Sequence, residues 1–168
     1  TAQTKYQFAH KKVTVSTCGL SDGIERFGRD HPLASLAVSL HAPDDATRNL
    51  LMPALADTPV SSLMASLDDY VEQTGRKVFY EYLMIDGLTD RDWQAEMLAG
   101  LLKGRVAQVN LIPWNPGESR LAYLPSPKDA IEAFRARLRQ DSIPVTLRVT
   151  MGDDIAAACG QLASKRRA

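Results

Sequence analysis

The chain has 168 residues, of which 45% are hydrophobic and 24% are charged, as in an ordinary globular domain. Its 20 basic and 20 acidic residues cancel, which excludes a uniformly basic nucleic-acid-binding coat but not a local basic patch. Two cysteines are too few for a disulfide framework, no apolar run approaches the roughly 20 residues of a membrane span, and the first residues carry no signal-peptide core. We therefore expect a reducing, cytoplasmic setting.

Five short apolar runs predict β-strands, and each is followed by a glycine or proline that ends it. Helices are predicted between them by apolar stripes at helical spacing. The strands are predicted at 13–16, 33–40, 78–84, 106–112 and 145–149. The stripes are Val60, Leu63, Met64, Leu67 and Val71; Trp93, Met97, Leu98, Leu101 and Leu102; and Ile131, Phe134 and Leu138. Short helices are also predicted at 21–30 and, capped by Asp153 or Asp154, at 155–162.

Alternating strands and helices predict an α/β fold of βα units on a parallel sheet. A complete (β/α)₈ barrel needs roughly 250 residues. We therefore expect either an open five-stranded sheet or an incomplete TIM-type barrel, half to two-thirds complete, with about five strands and helices on its outer face. The prediction is one domain over 1–168, with a basic tail at 163–168. Since a bare edge strand invites pairing with another chain, a homodimer or domain swap through the first strand is a hypothesis.

Polar side chains follow the predicted strands at their carboxyl ends, where parallel α/β folds bind ligands. They are Ser16, Ser39, His41, Asn110 and Asn115. Such hydroxyl, imidazole and amide groups suit a small ligand that carries amine, carboxylate and ribose hydroxyl groups. No glycine-rich dinucleotide or phosphate loop is present, which argues against a Rossmann or P-loop site.

Each of these residues also has a purely structural interpretation. Ser16 and Ser39 can satisfy nearby backbone groups, His41 can be a packed or capping histidine, and Asn115 can belong to a turn before a proline. Cys159, among alanines and a glycine, is either a small buried residue or an exposed thiol near a helix end that could act as a nucleophile.

Four peptides in order resemble the C-terminal half of the RlmN/Cfr family of radical S-adenosylmethionine (SAM) adenosine RNA methyltransferases. They are VTVST at 13–17, SLHAP at 39–43, NLIPWNP at 110–116 and GDDIAAACGQL at 152–162. The match runs over nearly the whole chain, and the two longest peptides make it specific.

The resemblance implies a (β/α) barrel with a 4Fe–4S cluster and SAM, acting on an adenosine of 23S rRNA. The RlmN branch methylates carbon 2 and also acts on tRNA, whereas the Cfr branch methylates carbon 8. It further implies that Ser16, the segment Ser39, Leu40 and His41, and Asn115 contact SAM. Cys159 corresponds to the cysteine that first accepts a methyl group, which a 5′-deoxyadenosyl radical then converts into the attacking species.

Other features of the family are missing from this sequence. The C-x-x-x-C-x-x-C cluster motif, the Gly-Glu segment that holds the SAM amino group, the second cysteine and the N-terminal RNA-binding domain all precede the equivalent of residue 1. The loop after Asn115 is also short. We therefore expect the chain to be the C-terminal half of such an enzyme, with no metal ligands of its own and no activity alone.

Two other functions remain open. One is a non-catalytic binding or assembly module that completes a barrel with itself or with an N-terminal partner. The other is a cysteine hydrolase that pairs Cys159 with His41, because a nucleophilic thiol needs a base within hydrogen-bond reach.

Overall fold

The computed structural model describes residues 13–115 and 122–148, and these form one parallel sheet with helices between its strands. The strands are β1 (Thr14–Thr17), β2 (Ser35–Ser39), β3 (Val78–Met84), β4 (Ala107–Pro113) and β5 (Val145–Leu147). The helices are α1 (Ser21–Asp30), α2 (Asp45–Leu51), α3 (Val60–Thr74), α4 (Asp92–Leu102) and α5 (Lys128–Gln140), with a 3₁₀ turn at Pro53–Leu55.

The strands lie side by side in their sequence order, β1 to β5, and every neighbouring pair is parallel. Right-handed crossovers in this order place all the helices on one face, as in a (β/α) barrel. The described sheet does not close on itself, since β1 and β5 form its two edges. The predicted incomplete TIM-type barrel is therefore confirmed.

The helix-covered face of the sheet carries the core. Alternate residues of β3, including Val78, Tyr80, Tyr82 and Met84, are buried, while the residues between them are half-buried. Because side chains alternate across a strand, the second set faces the concave side of the sheet. We call this concave side the inner face.

Local signals explain where the helices begin and end. α3 buries the predicted stripe Val60, Leu63, Met64 and Leu67, and it ends at Gly75, which adopts the left-handed conformation that glycine favours. The N-cap of α2 is Asp44, whose side chain accepts from Thr47 N at 2.8 Å.

Three sequence expectations differ from the structure. Trp93 and Met97 belong to the predicted stripe of α4 but are 52% and 43% exposed, because the helix instead turns Gln94, Ala95 and Leu98 inward. Pro113 lies inside β4 rather than beyond it, and no helix was predicted for α2. None of the helices in the described part of the chain is long and apolar enough to cross a membrane.

Candidate functional site

Most of the polar residues singled out from the sequence lie at one edge of the sheet. Ser16 is near the end of β1, Ser39 ends β2, and Asn115 follows β4 by two residues. Parallel strands bring their carboxyl ends to a common edge. The hydroxyls of Ser16 and Ser39 make no hydrogen bond to another described residue, so the interpretation that they satisfy nearby backbone groups has no support in this part of the chain.

His41 sits just beyond β2 in a constrained backbone conformation. Its φ is 60°, which is uncommon for a residue other than glycine, and its N–H donates to the Glu81 carbonyl at 3.1 Å. Burial, and then the positive charge of Arg48, lower the pKa of His41 to about 4. Near neutral pH the ring is therefore uncharged, with one donor and one acceptor nitrogen.

A cavity of about 400 Å³ opens on the inner face below these strand ends. Its volume is within the range of small-molecule sites. It is lined by Thr14, Ser16, Ala37, Glu81, Asn110, Thr146 and Arg148, which come from all five strands or their ends. The lining is mostly hydroxyl, amide and charged groups, so the cavity is suited to a polar ligand.

Three of the lining residues form a hydrogen-bonded row across the sheet. Strand register places Glu81 beside Asn110, and Asn110 beside Thr146. The Asn110 amide donates to Glu81 Oε1 at 2.8 Å, and the Thr146 hydroxyl donates to Asn110 Oδ1 at 2.5 Å. We call Glu81, Asn110 and Thr146 the polar row. Because each member fixes the next, the row holds the Glu81 carboxylate in one orientation.

A buried arginine holds the loop that follows β1. Arg48 is 1% exposed and donates to the carbonyls of Cys18, at 2.8 Å, and Thr58, at 3.4 Å. Gly19 is needed in this loop, since its φ is +104° and an added Cβ would lie 2.9 Å from a Leu63 methyl. Arg48 thereby fixes the backbone two residues after Ser16.

Trp114 leads from β4 to Asn115. Its backbone N–H donates to the Met84 carbonyl at 3.0 Å, and its ring meets Tyr123 edge-on with centroids 5.8 Å apart. Its indole N–H is buried and has no acceptor among the described residues. His41 Nδ1 and Glu81 Oε2 are in the same situation. Since buried polar atoms are normally hydrogen-bonded, each of these three atoms could pair with a polar group of a bound ligand.

The predictions at 152–162, including Asp153, Asp154 and Cys159, lie outside the described residues, as does the tail at 163–168. Three residues of the site were not singled out from the sequence: Glu81 and Thr146 of the polar row, and Arg48. A signal for Glu81 existed, because it is a single carboxylate inside the otherwise uncharged run from Val78 to Met84.

The polar and metal-ligating groups of the described residues differ in how well they fit the two cofactors that the resemblance implies. The unpaired polar atoms and the polar cavity fit SAM, which carries an amino acid, a ribose and an adenine. The described residues do not fit an iron–sulfur cluster, because they contain one cysteine, Cys18, and no group of three His, Cys, Asp or Glu side chains that could hold a metal ion.

Relatives with curated names match almost all of this chain. A probable dual-specificity RNA methyltransferase RlmN of Pelotomaculum thermopropionicum is 46% identical over 92% of the chain and 42% of its own length. A protein of the same name in Desulforudis audaxviator is 39% identical over 99% of the chain and 52% of its length. The chain thus spans about half the length of the curated relatives it matches.

Solved structures agree with this similarity. The crystal structure of a radical SAM methyltransferase from Sphaerobacter thermophilus matches with a TM-score of 0.88 and 44% identity, over 92% of this chain and 45% of that one. A domain of a pyruvate-formate lyase-activating enzyme from Bacteroides vulgatus matches with a TM-score of 0.63 at 13% identity, which supports the fold alone. No family model matches the chain.

Proposed function

This chain belongs to the RlmN/Cfr family of radical SAM RNA methyltransferases, and we propose that it supplies the C-terminal half of an enzyme that methylates carbon 2 of an adenosine in 23S rRNA and tRNA. The observation that carries the proposal is the identity of 46% to a curated RlmN, spread over 92% of the chain rather than confined to a single motif. Carbon 2 is preferred over carbon 8 because these relatives bear the RlmN name.

In this proposal the strand ends bind SAM. The hydroxyls of Ser16 and Ser39 are unengaged by other described residues, and the neutral ring of His41 can donate and accept without adding charge. Asn115 supplies an amide from the far side of the edge. Bound SAM would supply methyl groups and, with the cluster of the complete enzyme, a 5′-deoxyadenosyl radical.

Cys159 is proposed as the methyl-carrying residue. Adenine carbon 2 is a poor nucleophile, so direct displacement of a sulfonium methyl does not reach it readily. A methyl group held first on the Cys159 thiol can instead lose a hydrogen atom to the 5′-deoxyadenosyl radical, and the resulting carbon radical adds to the ring. The carbon–sulfur bond to Cys159 would then break with the help of the second, resolving cysteine that the resemblance places in the N-terminal half. This assignment rests on the resemblance of the peptide at 152–162.

The two cysteines of the chain provide a matched test. In the full-length protein, purified without oxygen, we expect Cys159→Ala to abolish methylation of an rRNA fragment and Cys18→Ala to leave it within about twofold. Mass spectrometry of the wild-type protein should find one added methyl group on the peptide that contains Cys159. Activity that survives in Cys159→Ala would contradict the assignment, and a methyl group on Cys18 would do the same.

The edge of the sheet bears on the alternative of an assembly module. β1 is an edge of the described sheet, and Val15, on its helix side, is 40% exposed. We propose that this edge receives a strand of the N-terminal half, because the relatives are about twice as long as the chain. Light scattering of this chain with and without that half tests it. A stoichiometric complex is expected, whereas a stable homodimer that excludes the N-terminal half would overturn the pairing.

A further inference from the structure

We propose that Glu81 is the ribose-binding residue of the site: its carboxylate accepts a hydrogen bond from the 2′- or 3′-hydroxyl of the bound nucleoside. The inference rests on the proposed function, because it assigns a further contact for the same SAM ligand. It names a residue that the family resemblance did not include.

Glu81 lies next to the strand-end segment that is proposed to bind SAM. Strand register places Glu81 directly beside Ser39, the residue that ends β2. The Glu81 backbone carbonyl also accepts from the N–H groups of Leu40 and His41, both at 3.1 Å. Glu81 therefore shares one layer of the sheet with the strand-end segment that is proposed to bind SAM, and it lines the same cavity as Ser16.

The Glu81 carboxylate has hydrogen-bonding capacity that the described residues leave unused. A carboxylate has room for about four donors. In the described part of the chain Glu81 receives one from a side chain, the Asn110 amide on Oε1, while Oε2 is buried and has no donor. A buried carboxylate oxygen is stabilised by a hydrogen-bond donor, which a bound molecule can supply to Oε2.

The polar row holds the Glu81 carboxylate in place before a ligand binds. Asn110 cannot rotate its amide freely, because its own oxygen accepts from Thr146 at 2.5 Å. The polar row therefore presents the carboxylate to the cavity already fixed, which reduces the entropy that binding must remove.

The charges of the cavity lining give no preference for a cation. Glu81 and Arg148 are the charged residues among its described lining, and their charges cancel. An ammonium or sulfonium group would be attracted by Glu81 and repelled by Arg148, so the lining as a whole does not select a cation. A ribose hydroxyl is not repelled, and acceptance of ribose hydroxyls by an acidic side chain at strand ends is well known in other α/β nucleotide sites.

The experiment measures ligand affinity by calorimetry on the full-length protein, purified without oxygen, with S-adenosylhomocysteine and its 2′-deoxy and 3′-deoxy analogues as probes. The wild type is expected to bind at least one deoxy analogue about tenfold more weakly than the parent, as a hydrogen bond to a charged group should cost. Glu81→Ala should bind all three within about twofold of one another. Glu81→Gln keeps the Asn110 contact and should show an intermediate discrimination.

Two controls keep the result interpretable. Gln108 lies on the inner face of the neighbouring strand β4, accepts a hydrogen bond from Lys77 and does not line the cavity. Gln108→Ala should therefore keep the wild-type discrimination between the probes. Equal melting temperatures of the wild type, Glu81→Ala and Glu81→Gln show that a lost preference is not caused by unfolding.

The outcomes separate the inference from the function beneath it. Wild-type binding with equal affinity for all three probes overturns the ribose contact and leaves the proposed function standing. If Glu81→Ala weakens S-adenosylhomocysteine but not 5′-methylthioadenosine, Glu81 contacts the amino acid end, and the inference is again wrong. Failure of the wild type to bind any probe overturns both.

Discussion

On β4, neighbouring residues belong to two very different surfaces. Leu111 faces the helices and is fully buried, whereas Asn110 and Ile112 face the inner side and are half-buried. The helix-covered face is apolar and closely packed, while the inner face holds the polar row and a cavity of about 400 Å³. One sheet therefore combines an apolar face that stabilises the fold with a polar face that forms a cavity, and the alternation of side chains along each strand separates the two.

The largest expected effect compares two aliphatic neighbours across that boundary. Leu111→Ala should lower the free energy of unfolding by about 2–5 kcal/mol, because it leaves a hole among packed side chains. Ile112→Ala should cost less than about 1 kcal/mol, since its side chain is already partly in solvent. Urea unfolding measures both, and equal losses would show that the inner face is also part of the core.

Acid should destabilise the chain through His41. Its pKa is about 4 in the folded state and 6.5 when unperturbed, so between these values the unfolded chain binds more protons. Stability conferred by the neutral ring is present above pH 6.5 and is lost as the pH falls towards 4, by up to about 3 kcal/mol. The test is urea unfolding of wild type and His41→Asn over this range. The difference between them should shrink as pH falls, and a constant difference would contradict the buried, neutral ring.

Substitution of Arg48 tests how much this side chain stabilises the loop that follows β1. Arg48→Met keeps the bulk of the side chain but leaves the carbonyls of Cys18 and Thr58 without their donor, so a loss of about 2 kcal/mol is expected. Arg29→Met is the control, because Arg29 is exposed and pairs with Glu25 on the surface, where less than about 1 kcal/mol is expected. Chemical denaturation measures both losses of stability. Similar losses for the two variants would contradict the claim that the buried hydrogen bonds of Arg48 stabilise the loop.

The smallest effect separates two tyrosines on the helix-covered face. The buried hydroxyl of Tyr82 donates to the Thr89 carbonyl at 2.9 Å, so Tyr82→Phe should cost about 1 kcal/mol. The Tyr80 hydroxyl makes no hydrogen bond to another described residue, so Tyr80→Phe should stay within about 0.5 kcal/mol. Thermal unfolding can resolve the difference. A larger loss for Tyr80→Phe than for Tyr82→Phe would contradict the assignment of the stabilising hydrogen bond to the Tyr82 hydroxyl.

Much of the scaffold could be predicted from short-range pattern alone. The run at 78–84 became β3 with the same bounds, and the stripe from Val60 to Leu67 became the buried side of α3. The stripe of α4 was only half right, because Trp93 and Met97 are apolar yet exposed. Apolarity by itself does not say which side of a helix meets the sheet, so small residues such as Ala95 took the buried positions.

The site divides in the same way. The sequence by itself determined the order of strands and helices, and therefore that Ser16, Ser39 and Asn115 would gather at one edge, because strand direction and crossover handedness follow from local rules. Only the tertiary structure decided the register that sets Glu81 beside Ser39 and Asn110, the full burial of Arg48 and the partial burial of His41. Such contacts join residues far apart in the chain, and no local pattern encodes their alignment.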